Sequence, residues 1–281
     1  MPNHPCDDPR LVTLRVGLYA AVATRGFRRY STYRAATLAG IFTNTVFGVI
    51  IAYSFIALWD QRPSLGGYGQ AQALTFVWVA QALIMPVGLF SGGIVDELSD
   101  RVRSGAVAID LHRPIPLLWW RFAEDAGRAA YHFLTRGLAP VLVGSLLFDL
   151  AWPQRVSTYG VFLIAVALAI GVGFGIRFLL GLLAFWVIDV RGFVVMLTIT
   201  QVFFSGMVLP LVVFPDALRT LAEVLPFRCL VQIPADVLLH EDTGTTVLPL
   251  LGIQLLWLVA LLVAGHLLTG AAVRKVVVQG G

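Results

Sequence analysis

Six stretches of this chain are each long and apolar enough to cross a bilayer as a helix: Ala35–Trp59, Ala71–Val95, Ala129–Leu150, Tyr159–Ile188, Phe193–Phe214 and Thr246–Val273. About 20 apolar residues, rising about 1.5 Å each, span the hydrocarbon core. A helix also satisfies its own backbone hydrogen bonds there, where water cannot. Composition agrees: of the 281 residues 58% are hydrophobic and 13% charged, with a mean hydropathy of +0.83. A soluble domain carries about a quarter charged residues. No polar block is long enough to be a second domain. The expected fold is therefore an all-α membrane protein, with an N-terminal segment over residues 1–34 and one six-span domain over residues 35–281.

Basic residues set the orientation. With the N-terminus in the cytosol, 14 of the 20 basic residues fall in inside segments and four (Arg62, Arg155, Arg219, Arg228) in outside loops. Arg136 and Arg177 lie within apolar stretches. The bias places both termini in the cytosol and accounts for a pI of about 9.4 without a nucleic-acid partner.

Leu11, Leu14, Leu18 and Val22 recur at helical spacing ahead of Arg25, Arg28 and Arg29, the pattern of an amphipathic helix on the inner leaflet. A cleaved signal peptide is the rival, but here the main basic cluster follows the apolar run instead of preceding it. Near the other end, Val213–Glu241 is too polar to span and too apolar for a free loop. Short amphipathic helices dipping into the outer leaflet fit it. Leu218, Leu221 and Leu225 would line one face, with Pro215 starting a helix and Pro226 and Pro234 breaking it.

Enzyme chemistry finds few candidates. Lys275 is the only lysine and no glycine-rich loop leads into it, so no complete P-loop exists and the chain binds no ATP in that way. The five histidines form no metal-spaced pair, and Cys6 and Cys229 are expected on opposite sides of the membrane. Ser91 and Ser205 each follow a phenylalanine and precede a glycine. Intramembrane serine proteases of the rhomboid kind place a glycine two residues before the serine, where this chain has Leu89 and Phe203. Small residues at four-residue spacing (Gly40, Asn44, Gly48, Ala52; Gly171, Gly175) read as packing faces. Arg177 reads as structural or snorkelling, the alternatives being a meeting with Asp189 through a tilted helix or contact with an anionic lipid or substrate.

No acid is expected at mid-membrane, where an ion-driven carrier usually has one. Energy must then enter elsewhere, and the segment between the second and third spans is the candidate. Arg101, Arg103 and Arg113 form a basic rim; Val102, Val107, Ile109 and Leu111 supply apolar contacts of the kind that seat in a partner's groove. Gly105 and Pro114 bracket that helix.

The order Asp100, Arg101, Arg103, Gly105, Ile109, Leu111, Pro114, Ile115 resembles the coupling segment of permease subunits of the ABC-2 type (type V) ABC exporters. Ser205-Gly206, Pro210, Phe214-Pro215 and Leu225-Pro226 resemble the fifth span and external re-entrant helices of that family. The span-four region is closest to the branch of small paired permeases. The resemblance covers nearly the whole chain. It implies an interfacial helix, a cytosolic coupling helix and external re-entrant helices around six spans in a bacterial-type plasma membrane. It further implies a P-loop ATP-binding subunit carrying ATP and magnesium, and a second permease chain, identical or different. This chain would be non-catalytic. Phe76, Gln81, Met85, Gln201, Phe204 and Met207 are the candidate pathway residues for a hydrophobic or amphipathic cargo, and Pro215, Pro226 and Pro234 mark the external gate. Two other readings remain open: a stand-alone carrier or channel, and an intramembrane serine hydrolase.

Overall fold

The computed structural model describes residues 9–63, 65–90, 93–113, 115–187, 189–240 and 246–279. Cys6, Ser91 and Pro114 lie outside them. Every regular element among the described residues is helical. An N-terminal helix α1 (Pro9–Ser31) is followed by α2 (Arg34–Gln61), α3 (Gln70–Leu83), α4 (Ile94–Arg103), α5 (Val107–Leu111) and α6 (Leu117–His132). A π-turn over Phe133–Gly137 joins α6 to α7 (Leu138–Leu147). Then come α8 (Val156–Leu182), α9 (Arg191–Phe204), α10 (Asp216–Val224), α11 (Gln232–Leu239) and α12 (Val247–Gln279).

Among the described residues, three helices are long and apolar enough to cross a membrane: α2, α8 with its 3₁₀ extension to Phe185, and α12. They differ in burial. The most apolar window of α8 is 67% buried, against 22% for α2 and 11% for α12. Thus α8 is the central post, touched by α4, α6, α11 and α12, and the other two present apolar flanks outward. The small-residue stripes are packing faces, as expected. Gly48 of α2 and Gly144 of α7 both meet the Trp78 ring, where an added Cβ would lie 2.8 and 2.2 Å from it. Gly171 and Gly175 meet Leu258 and Leu261 of α12, each within 2.7 Å of such a Cβ.

The other three apolar stretches depart from straight spans. The second ends as a helix at Leu83, turns through Met85–Gly88 and resumes at Ile94. The third runs through the π-turn. The fifth is a helix only to Phe204, because the chain reverses at Gly206, whose φ of +87° suits glycine.

α1 packs along α6 instead of standing alone. Glycines allow the approach: a Cβ on Gly127 would sit 1.9 Å from the Ala23 carbonyl oxygen, and one on Gly26 2.3 Å from that of Glu124. Val22 is buried and Leu18 exposed, so the apolar stripe divides between the bundle and the outside. The side chains of Leu11 and Leu14 lie outside the described set.

Candidate functional site

The α4–α5 segment is built on amphipathicity. Ile94, Val95 and Leu98 bury against Phe174, Phe178 and Leu182 of α8, while the charged side of α4 stays at the surface. α4 stops at Ser104, and Gly105 turns the chain at φ +73°. A Cβ at this position would meet no atom within 4 Å, so the backbone angle alone calls for glycine. α5 then buries Val107 and leaves Ile109 65% exposed, with Leu111 between these extremes.

Asp110, on the buried side of α5, organises this segment. Arg101 donates to both of its carboxylate oxygens, with Nη2 2.9 Å from Oδ1; Arg113 approaches to 3.3 Å and Arg121 to 3.6 Å. The Arg113 guanidinium also lies 4.7 Å above the Trp120 ring. Arg103 reaches Asp189 at 3.4 Å, tying α4 to the loop before α9. Asp189 is therefore a partner of Arg103, not of Arg177 as the sequence suggested. Beside the segment, Leu111, Arg113, Ile115 and Leu118 face His266 and Thr269 of α12 across a groove of about 470 Å³.

A second network joins α1, α4 and α6. Arg29 meets Glu97 at 3.2 Å and Glu124 at 3.6 Å, and Arg121 meets both acids at 3.1 Å. Burial pushes the Glu97 carboxyl up, but Arg121 and then Arg29 outweigh it and hold it below its ordinary value.

The third site was not legible from the sequence. Asp125 of α6 is buried and forms a bidentate pair with Arg177 of α8, Oδ1 to Nη1 at 3.0 Å and Oδ2 to Nη2 at 2.9 Å. Arg128, one turn further along α6, bonds the same carboxylate at 2.7 Å. Its terminal nitrogens donate to the carbonyls of Met85 and Pro86 at 2.7 and 3.0 Å. This explains the broken second stretch: carbonyls that would have continued a helix are bonded by an arginine from another helix. Gly88, at φ +72°, lies against the Arg177 guanidinium, where a Cβ would approach Nε to 2.5 Å. No sequence signal pointed to Asp125 as the partner of Arg177, and only the fold shows that α8 brings the arginine to it. Pro86 and Gly88 inside an apolar run were the available signal of the break.

Among the pathway candidates, Phe76 and Gln81 are buried within the chain at 1% and 3% exposure. Gln201 is buried and donates to the Leu89 carbonyl, which sets α9 against the end of the broken stretch. Met85, Phe204 and Met207 are partly buried on the same apolar cluster as Phe76. Ser205 is fully buried. Its hydroxyl donates to the Val202 carbonyl and accepts from the Met207 N–H, both at 3.3 Å, with no histidine or carboxylate bonded to it among the described residues.

At the far end, Pro215 precedes α10 and Pro226 opens a 3₁₀ turn over Pro226–Cys229. Pro234 does not break a helix. It occupies the first turn of α11, where its missing N–H has no helical acceptor to lose. Leu218 and Leu221 on α10 are exposed, whereas α11 is mostly buried. α11 is fixed by Tyr68, whose hydroxyl donates to Asp236 at 2.5 Å, and by Gln232, which donates to Asp236 at 2.8 Å and accepts from the Leu211 N–H at 2.9 Å.

Long apolar helices, a glycine-turned amphipathic segment between the second and third apolar stretches, and packed short helices after the fifth are the build of a multi-pass membrane protein. A family model described as ABC-2 family transporter protein matches residues 25–280, and the chain belongs to that family, whose members are membrane permeases of ABC transporters. No curated protein matches the chain.

Proposed function

We propose that this chain is the membrane subunit of an ATP-driven exporter that moves a hydrophobic or amphipathic compound out of the cytosol or inner leaflet. Six spans, three of them broken or bent, would form the permease, with both termini in the cytosol. The observation that carries the reading is the α4–α5 segment. It is packed on the central helix α8, held rigid around Asp110, and presents exposed Ile109 beside a groove of about 470 Å³. A push from a docked P-loop subunit at Arg101–Pro114 would therefore reach α8 without being absorbed by a loose loop. α10 and α11 would close the outer end. A second permease chain would complete the pathway.

Affinity purification of the tagged chain from its own membranes tests this, with Arg103→Glu and Arg113→Glu as variants. Arg103 and Asp189 are both well exposed, and an exposed pair contributes at most about 1 kcal/mol. Asp110 keeps Arg101 and Arg121 when Arg113 is changed. The variants should therefore fold. The expected result is a P-loop ATPase recovered with the wild type, together with ATP hydrolysis uncoupled from transport in the variants. Recovery of the chain alone in mild detergent, or full transport by both variants, would refute the docking role.

A further inference from the structure

A cavity of about 180 Å³ lies where the second apolar stretch breaks, bordered by Tyr30, Met85, Gly88, Arg128, His132 and Arg177. Three observations bear on what it holds. First, the two guanidiniums share one carboxylate, Asp125, which leaves one positive charge in excess at a buried position. The adjacent network does not offset it, since Arg29 and Arg121 are matched by Glu97 and Glu124. Second, donors remain. Arg177 uses three of its five N–H groups, one on Gly173 and two on Asp125, and Arg128 uses four. Third, His132 is 6% exposed, and its Nδ1 has no hydrogen-bond partner among the described residues. A buried polar atom without a partner is uncommon, and here it borders a cavity. Phe90 and Gly93 complete the border, and Met85 and Phe90 give it an apolar side.

We infer that this cavity is a binding site for the anionic group, phosphate or carboxylate, of an amphipathic molecule. The arginine pair would supply charge-assisted donors, His132 a further hydrogen bond, and Met85 and Phe90 contact with the apolar part. Asp125 does not compete with the ligand. It fixes both guanidinium planes and leaves the surplus charge directed at the cavity. The inference stands apart from the transport reading, because binding is measured without transport.

The test is equilibrium binding of labelled dodecyl phosphate to the purified chain in phosphatidylcholine nanodiscs, with inorganic phosphate and phosphatidylglycerol as competitors. Phe90 borders the cavity and is 55% exposed, so Phe90→Glu places a tethered carboxylate there without emptying the core. Saturable binding that weakens at least about tenfold in Phe90→Glu and several-fold in His132→Leu is expected, each at an unchanged melting temperature. If Phe90→Glu melts early, His132→Leu decides the matter. Competition by inorganic phosphate would show that the site takes the anion from water, and competition by phosphatidylglycerol alone that it takes a lipid headgroup. Absence of saturable binding, or equal binding by the wild type and the folded variants, would overturn the inference.

Discussion

A single carboxylate, Asp125, holds together three pieces of the bundle that share no local sequence: α6, α8 and, through Arg128, the turn after α3. Removing one partner of a buried ion pair costs about 3–5 kcal/mol, because the remaining charges stay buried and unmatched. Asp125→Ala should therefore lower the melting temperature sharply in detergent. Combined replacement of Asp125 by leucine with Arg128 and Arg177 by methionine should recover part of the loss, since no unmatched charge remains, the rest being the cost of the Met85 and Pro86 carbonyls that Arg128 no longer satisfies. A wild-type melting curve for Asp125→Ala would show that the pairings contribute little. Asp110, also buried, plays the equivalent part in the α4–α5 segment, where three arginines converge on it. The sequence made Arg101 and Arg113 conspicuous but hid the acid that orders them, since a lone aspartate among arginines looks like ordinary loop composition.

Among the elements, those legible in advance were the ones whose form hydropathy alone dictates. α2, α8 and α12 begin and end within a few residues of the apolar stretches that announced them. The second stretch was only partly legible: Pro86 and Gly88 signal a break, but the Arg128 donors that satisfy the freed carbonyls lie more than 40 residues downstream. The π-turn at Phe133–Gly137 left no mark in hydropathy either. α1 is a helix, as its spacing suggested, but its seat on α6 depended on Gly26 and Gly127 meeting across two helices. The polar clamp on that seat has a definite pH range. The Glu97 carboxyl is held below its ordinary value of 4.5, so its contribution is fully present above that value and is lost as pH falls through the lowered one. Protection of the α1 amides, relative to the intrinsic exchange rate at each pH, should hold from neutral pH down to 4.5 and fall only below it. Loss of protection already near neutrality would show that these charges do not hold the helix.

For the whole molecule, the exposed apolar surface is distributed unevenly in its consequences. Met196, Ile199 and Phe203 follow one another on α9 at helical spacing, at 69%, 66% and 42% exposure, while Gln201 on the same helix faces the bundle. We expect this ridge to meet a second permease chain and α2 to meet lipid. In a Cys6→Ser background with Cys229 buried, Met196→Cys should form cross-linked dimers on oxidation in native membranes, and Phe42→Cys should not. An adduct of a different mass would identify an unlike partner. Equal cross-linking at both positions would deny α9 a special place in assembly.

The buried arginine cluster also imposes a timetable on biosynthesis. Asp125 and Arg128 emerge from the ribosome one helical turn apart, and can leave it already neutralised as a pair. Arg177 follows 49 residues after Arg128, within a strongly apolar helix and with no acid of its own helix to meet it. Until α6 is in place, the nascent α8 carries an arginine that opposes its release into lipid by about 2.5–3.5 kcal/mol. The helix at the centre of the finished bundle is thus the one whose entry into the bilayer gains most from a neighbour made before it.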